Sequence, residues 1–231
     1  MGANSFYAKY VKDMIDKAVS LVFIVCFFWV YLIIAIAIKI TDPKGPVIFK
    51  QERLGKDGKV YWMYKFRSMK VGAEHTGMGV YSNDFDSRVT KIGKILRKTS
   101  LDEIPQLFNV LKGDLALVGY RSPLTYFPWP WEEYTEEQKK MFVMKPGITG
   151  YAQVHGRKKV EWNKRIAMNV WYTEHVSLWL DLKILFLTMF KVISNVDNES
   201  VGETNMEHGA WSKVKGRGRC KYGTKFNVYH E

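Results

Sequence analysis

A helix-rich α+β fold, with one apolar helix set apart near its N-terminal end, is the architecture this sequence predicts. Three observations carry it. Ala18–Ile38 runs for 21 residues without a charge, a glycine or a proline. Two short strand-like segments, Val47–Gln51 and Val60–Lys65, flank the turn sequence Gly55-Lys56-Asp57-Gly58. From Trp162 to Val196 apolar residues recur at helical spacing. The 231 residues suit one domain with an appendage rather than two independent cores. With 47% hydrophobic and 15% aromatic residues, disordered and collagenous chains are excluded. Cys26 and Cys220 are too few for a disulfide framework, so a reducing compartment is expected.

The apolar run comes first. At 1.5 Å per residue it could cross a hydrocarbon core of roughly 30 Å, and read alone it is a single spanning anchor. It exceeds the apolar core of a signal peptide, and Lys39-Ile40-Thr41-Asp42-Pro43 is no cleavage site. Its flanks point elsewhere. Lys9, Lys12 and Lys17 precede it, and Lys39, Lys44, Lys50 and Arg53 follow. Basic residues collect on the cytoplasmic side, so positive charge at both ends suits a helix that enters and leaves through one face. No proline stands in the run to break it. Spanning and re-entrant readings both stand at this point.

Asp42-Pro43-Lys44-Gly45-Pro46 reads as a turn linker to the strands. Met69–Asp86 is polar and glycine-containing, a loop. Arg88–Arg97 reads as a short basic helix with Ile92, Ile95 and Leu96 on one side. A second helix continues through Pro105–Leu111. Phe127-Pro128-Trp129-Pro130-Trp131 cannot be regular structure, because proline removes backbone donors and restricts its predecessor. Glu132–Met144 reads as a charged helix. Trp162–Val196 is helical, and Asp181, Lys183 and Lys191 interrupt its most apolar part, which suits a membrane surface or a core better than a span. From Gly202 the chain is polar, with Lys213, Lys215, Arg217, Arg219 and Lys221 in a solvated tail.

Candidate chemistry narrows quickly. The five histidines have no ligand spacing, and no Walker loop, GxGxxG or GxSxG is present. What remains is Asp102-Glu103 at the start of a helix, close behind Arg97 and Lys98. Two roles compete for the pair. Ser100-Leu101-Asp102-Glu103 is a capping box, with Ser100 as the N-cap. With Asp102 as N-cap instead, Pro105 falls where no donor is needed, and Asp102 stands among free N–H groups that attract phosphate. There a carboxylate could hold Mg²⁺ or attack phosphorus, while arginines neutralise phosphoryl oxygens. Arg67, Arg88, Arg97, Arg121 and Arg157 are the candidates, each weighed against an ordinary surface role.

The string Arg97-Lys98-Thr99-Ser100-Leu101-Asp102-Glu103-Ile104-Pro105-Gln106-Leu107-Phe108-Asn109-Val110-Leu111-Lys112-Gly113-Asp114 closely resembles the core motif of bacterial sugar transferases. These are monotopic phosphoglycosyl transferases acting on polyprenol phosphate. Tyr64-Lys65-Phe66-Arg67-Ser68-Met69, Leu117-Val118-Gly119-Tyr120-Arg121-Ser122-Pro123 and Lys145–Arg157 match in the family's order, and Asp181-Leu182-Lys183-Ile184 matches a later helix. The similarity covers roughly residues 5 to 196, the small catalytic form.

The resemblance implies transfer of a sugar-1-phosphate from a UDP-sugar to undecaprenyl phosphate, with release of UMP, at the start of exopolysaccharide or lipopolysaccharide synthesis. It implies Asp102 as nucleophile and as ligand of Mg²⁺, with Glu103 as its partner carboxylate. Arg121 matches a phosphate-binding arginine, and Gln153 to Arg157 matches a segment associated with the nucleotide-sugar. The N-terminal helix is implied to be re-entrant, and the expected bend lies near Cys26 to Trp29. In this chain Phe28-Trp29 stands where the family commonly has Ser-Pro, and Tyr120 and Ser122 flank Arg121 where prolines are usual. His155 replaces an Asn.

Three regions follow: a membrane-associated helix over residues 1–40, a cytosolic catalytic domain over 41–201 with a short β-hairpin and amphipathic interfacial helices, and a basic tail over 202–231. The catalytic domain is expected on the cytoplasmic face of the bacterial inner membrane. The charge of +12 suits an anionic leaflet and anionic substrates, with no nucleic acid as partner. Trp129 and Trp131 are expected at headgroup depth. A homodimer stays open. The rivals are a membrane-anchored basic scaffold and a metal-dependent lipid phosphatase, neither of which accounts for the ordered motifs.

Overall fold

The computed structural model describes residues 2–73, 86–155 and 162–194. Arg157 and the basic tail lie outside the described residues.

The apolar run is two helices. After a π-helical turn over Tyr7–Val11, α1 spans Lys12–Cys26 and α2 spans Phe28–Thr41. Phe27 between them leaves helical geometry, at φ −114° and ψ 20°, and the two axes bend by 64°. The break falls inside the stretch the sequence singled out, and it forms without proline. Packing explains it: α1 lies against α4 and β3, whereas α2 lies against α3, so the two halves have different seats. Among the described residues no single helix is long and apolar enough to cross a membrane. Ile34 and Ile38 of α2 are buried against Phe66 and Leu96, while Phe28, Trp29, Leu32, Ile33 and Ile36 are exposed.

The predicted hairpin is present and extends further than the sequence pattern indicated. Strand β1 (Ile48–Leu54) pairs antiparallel with β2 (Val60–Phe66), from Ile48↔Phe66 to Leu54↔Val60. The extra turn-proximal residues are held from outside the hairpin, where the Leu54 N–H donates to the Pro123 carbonyl at 3.0 Å.

Helix α3 (Lys91–Lys98) is followed by a 3-10 turn over Leu101–Glu103 and by α4 (Gln106–Lys112). A second sheet, absent from the sequence reading, pairs β3 (Ala116–Val118) in parallel with β4 (Gly147–Thr149). Two glycines permit it. A Cβ on Gly147 would lie 2.0 Å from the Gly119 nitrogen, inside any real contact distance. The charged helix expected over Glu132–Met144 is broken into a 3-10 turn over Trp131–Glu133, the short α5 (Glu136–Lys139) and a second 3-10 turn over Lys140–Val143. Thr135 and Gln138 form a capping box that starts α5 late, after Tyr134 has turned into the core.

Trp129 and Trp131 correct their expected place at headgroup depth. Trp129 is 3% exposed, in a cluster with Leu54, Tyr120, Tyr134 and Phe142, and Trp131 meets the Phe142 ring edge-on at 5.0 Å. Edge-to-face ring packing at the core outweighs an interfacial position for these rings.

After α6 (Tyr151–His155), the long C-terminal helix is two: α7 (Trp162–His175) and α8 (Leu178–Ser194). Buried Val176 and the Ser177 cap separate them, with the Leu180 N–H donating to Ser177 Oγ at 3.3 Å. On α8, Asp181 and Ile184 face inward while Trp179, Leu182, Phe186 and Phe190 are exposed. An exposed apolar face is therefore present on the bent pair and on α8.

Candidate active site

Helix α3 begins where Thr90 Oγ1 accepts from the Gly93 N–H at 3.0 Å. It ends at Thr99, and Ser100 then adopts a left-handed conformation at φ 58°. That reversal throws Asp102 and Glu103 into their own 3-10 turn. Neither capping register predicted from the sequence forms: Ser100 makes no side-chain cap, and α4 starts at Gln106 behind Pro105. Proline needs no backbone donor at a helix start, so α4 forms without spending a carboxylate on its first turn.

The turn is anchored on both sides. Leu101 and Ile104 pack into the cluster beneath α2, and the Tyr31 hydroxyl donates to the Ile104 carbonyl at 2.9 Å. Asn109 on α4 locks onto β2, accepting from the Tyr64 N–H at 3.0 Å and donating to the Trp62 carbonyl at 2.7 Å. Helix α2 and the hairpin thus fix the position of the carboxylate pair.

Lys65 on β2 holds Glu103, Nζ to Oε1, at 2.6 Å. A small open cleft adjoins this pair, lined by Arg53, Met63, Lys65, Glu103, Gln106, Arg121 and Ser122, with Gly147 and Ile148 from the β4 end. Arg121 is exposed and makes no hydrogen bond or salt bridge with another described residue.

The two carboxyls are pushed apart. Asp102 is buried, and burial raises its pKa above the ordinary range; Lys65 opposes that shift and the neighbouring Glu103 adds to it. Burial pushes Glu103 up as well, but the charges of Lys65 and Arg121 and the Lys65 hydrogen bond outweigh it, leaving Glu103 below its ordinary value. One carboxyl is therefore firmly ionised and neutralised by lysine. The other carries a less stabilised charge. A destabilised carboxylate beside a cationic cleft is suited to nucleophilic attack on a phosphoryl group.

The predicted arginines divide. Arg121 lines the cleft, and the positive charge of Arg97 acts on Asp102. Arg67 is buried elsewhere, donating to Asp42 Oδ2 at 3.0 Å and to the Asp42 carbonyl at 2.6 Å, where it ties the end of α2 to the hairpin. Arg88 is buried with Asp86, at 2.7 Å, and donates to the Ala73 carbonyl. Gln153 donates to the carbonyl of the cleft residue Ile148 at 3.0 Å, and its Oε1 is buried without a partner. Arg157 lies outside the described residues.

Two cleft residues, Lys65 and Arg53, were not singled out from the sequence. The hairpin register held the signal: Phe49↔Lys65, Gln51↔Met63 and Arg53↔Tyr61 are facing pairs, so Lys65 and Arg53 share the face of the buried Met63 and Tyr61. A charged residue on the buried face of a strand needs a partner or a purpose.

For a metal, no group of three or more His, Cys, Asp or Glu side chains occurs among the described residues. Magnesium does not require one. It is commonly held by one or two carboxylates, with water and substrate phosphates completing the shell. Asp102 and Glu103 fit that donor set.

The family model described as "Bacterial sugar transferase" matches residues 7–195. The uncharacterized sugar transferase EpsL of Bacillus subtilis is 44% identical over 196 residues, covering 84% of this chain and 92% of the relative. The UDP-glucose:undecaprenyl-phosphate glucose-1-phosphate transferase of Klebsiella pneumoniae is 42% identical over 191 residues, which are 80% of this chain and 40% of that protein. An Aeromonas hydrophila protein named as a UDP-N-acetylgalactosamine-undecaprenyl-phosphate N-acetylgalactosaminephosphotransferase is 37% identical over 188 residues, 80% of this chain and 44% of its own length. The chain thus spans nearly all of the Bacillus relative and less than half of the other two.

Proposed function

The chain belongs to the bacterial sugar transferase family, and on that footing we propose that it moves a sugar-1-phosphate from a UDP-sugar to undecaprenyl phosphate. The observation that carries this reading is the Asp102–Glu103 turn: a buried carboxylate, spent on no helix cap, beside a cleft lined by arginine and lysine.

The reaction proceeds in two displacements. An Asp102 carboxylate oxygen attacks the phosphorus that bears the sugar, the bond from that phosphorus to the bridging oxygen breaks, and UMP leaves with the bonding electrons. An oxygen of undecaprenyl phosphate then attacks the same phosphorus. The Asp102–phosphorus bond breaks, and the product is a lipid-linked diphosphosugar. Arg121 neutralises phosphoryl oxygens as charge builds on them. Lys65 holds Glu103 ionised and fixes its carboxylate. Asp102, with Glu103 beside it, would hold Mg²⁺ against the substrate phosphates, where the ion supplies charge neutralisation.

The apolar faces exposed on the bent α1–α2 pair and on α8 support a seat for this chemistry at a bilayer surface, where a lipid phosphate is found. Both ends of the pair lie on the cytoplasmic side, since spanning would strand one basic cluster outside. Single cysteines at Ser5 and Thr41, with Cys26 and Cys220 replaced, test this. Both stay unlabelled by an impermeant reagent on intact cells and react after lysis. Labelling of Ser5 alone on intact cells contradicts re-entry.

The activity is tested by UMP release from a panel of UDP-sugars mixed with undecaprenyl phosphate. Release requires both substrates, stops in EDTA and returns with Mg²⁺. A scaffold or a lipid phosphatase releases none.

A further inference from the structure

Beyond the carboxylates and Arg121, one cleft residue has a charge that forms no salt bridge among the described residues. Arg53 stands on β1, on the hairpin face it shares with Lys65. Its Nη1 donates to the Ser122 carbonyl at 2.9 Å and its Nη2 to Gln51 Oε1 at 2.8 Å, both neutral acceptors. Its Nε is buried and has no hydrogen-bond partner. The charges that act on it are the like charge of Arg121 and the carboxylate of Glu103, which Lys65 already holds at 2.6 Å. Three cations thus line the cleft with one paired carboxylate between them.

A half-buried guanidinium without an ion-pair partner is costly. Burial first, and then Arg121, hold the Arg53 pKa down at about 10. A structural tie to Ser122 would need only a neutral donor. A planar fork of donors beside a second arginine is instead the arrangement that fits a phosphoryl group, whose oxygens can bridge the two.

We propose that Arg53 is a direct ligand of a substrate phosphoryl group, completing with Arg121 and Lys65 an anion subsite in the cleft. The inference deepens the transferase reading and rests on it for the identity of the substrate. Two sources present the same chemistry: the diphosphate of the nucleotide-sugar and the phosphate of the lipid.

The test uses the full chain in detergent with two readouts. In the first, inorganic phosphate is titrated while thermal unfolding is followed. The wild type is stabilised, R53Q loses that response, and R53K keeps part of it. An absent response in the wild type, or an unchanged one in R53Q, overturns the proposal. Should R53Q fail to fold, R53K answers alone, and a wild-type phosphate response in it overturns the proposal. In the second, KM is measured for each substrate separately in R53K and R53Q. A rise of at least tenfold for the UDP-sugar alone assigns the subsite to the nucleotide diphosphate, and a rise for undecaprenyl phosphate alone assigns it to the lipid. Unchanged KM for both, even with lowered kcat, reduces Arg53 to a tie for Ser122 and overturns the assignment. If no UDP-sugar supports turnover in the wild type, the transferase reading fails, while the phosphate titration still judges Arg53.

Discussion

Two clusters of this protein, one buried and one half-buried, are built from the same parts, carboxylates around a lysine, and they are opposite in kind. In the first, Lys12 on α1 lies between Asp181 at 2.6 Å and Asp16 at 3.3 Å. Every remaining need there is met. Asp181 accepts from the Tyr7 hydroxyl at 2.7 Å and the Tyr172 hydroxyl at 2.5 Å, and Asp16 accepts from the Leu117 N–H at 3.2 Å. In the second, among the described residues, Lys65 pairs with Glu103 alone, Arg121 has no hydrogen-bonded partner, and the Arg53 Nε is unsatisfied. The first cluster stitches α1, β3, α7 and α8 together. The second opens on a cleft. Satisfaction marks a structural network, and its absence beside open space marks a place where a ligand supplies the missing partners.

That contrast can be broken by substitution. The largest effect is expected for Asp102→Asn, which keeps shape and removes the proposed nucleophile. Turnover falls by at least about a thousandfold, the scale of removing an attacking group, while the melting temperature stays near that of the wild type. Lys12→Met should do the reverse. Leaving Asp16 and Asp181 buried without their cation costs about 3–5 kcal/mol, a fall of roughly 6–20 °C in melting temperature for a chain of this size. Loss of activity in that variant tracks the loss of folded protein, so equal stability to wild type would show that the two clusters do not differ as described.

Smaller effects sharpen the boundary. Arg121→Ala removes one charged donor from the cleft and lowers kcat/KM about 10–100-fold, the equivalent of roughly 1.5–3 kcal/mol, with unfolding unchanged. The smallest effect is on the pH profile. The proposed attack requires Asp102 to be ionised, and its pKa is raised by burial, so the acid limb of kcat/KM is expected above the ordinary aspartate value of about 3.9. Lys65 counteracts that rise, so Lys65→Met moves the acid limb further up in pH. An unmoved limb would mean that another group controls it.

How much of this was legible in the sequence follows the range of the forces involved. The hairpin was readable because alternation and a glycine turn are local. The bend of the apolar run was placed near Phe27 through its resemblance to a known family, and its physical cause, two different packing seats, belongs to the tertiary fold. The parallel β3–β4 pair was invisible, since three-residue strands bounded by glycine carry no periodicity. Asp102 and Glu103 stood out as a motif, yet both capping registers read into them failed because a left-handed Ser100 and Pro105 separate the turn from α4. The arginines show the limit most clearly. Arg67 and Arg53 lie near each other in sequence on the same hairpin, but Asp42 meets the first, whereas neutral groups meet the second. Which partner arrives is decided by chain segments far away. Trp129 and Trp131 went inward for the same reason.

The central claim is that Asp102 itself attacks phosphorus, and intact-protein mass spectrometry tests it most directly. The chain is mixed with a UDP-sugar that it accepts, without undecaprenyl phosphate, and quenched. The wild type gains the mass of one phosphosugar, undecaprenyl phosphate added before the quench removes it, and Asp102→Asn shows no gain. A wild type that turns over without ever gaining that mass, or an adduct that persists in Asp102→Asn, contradicts the assignment.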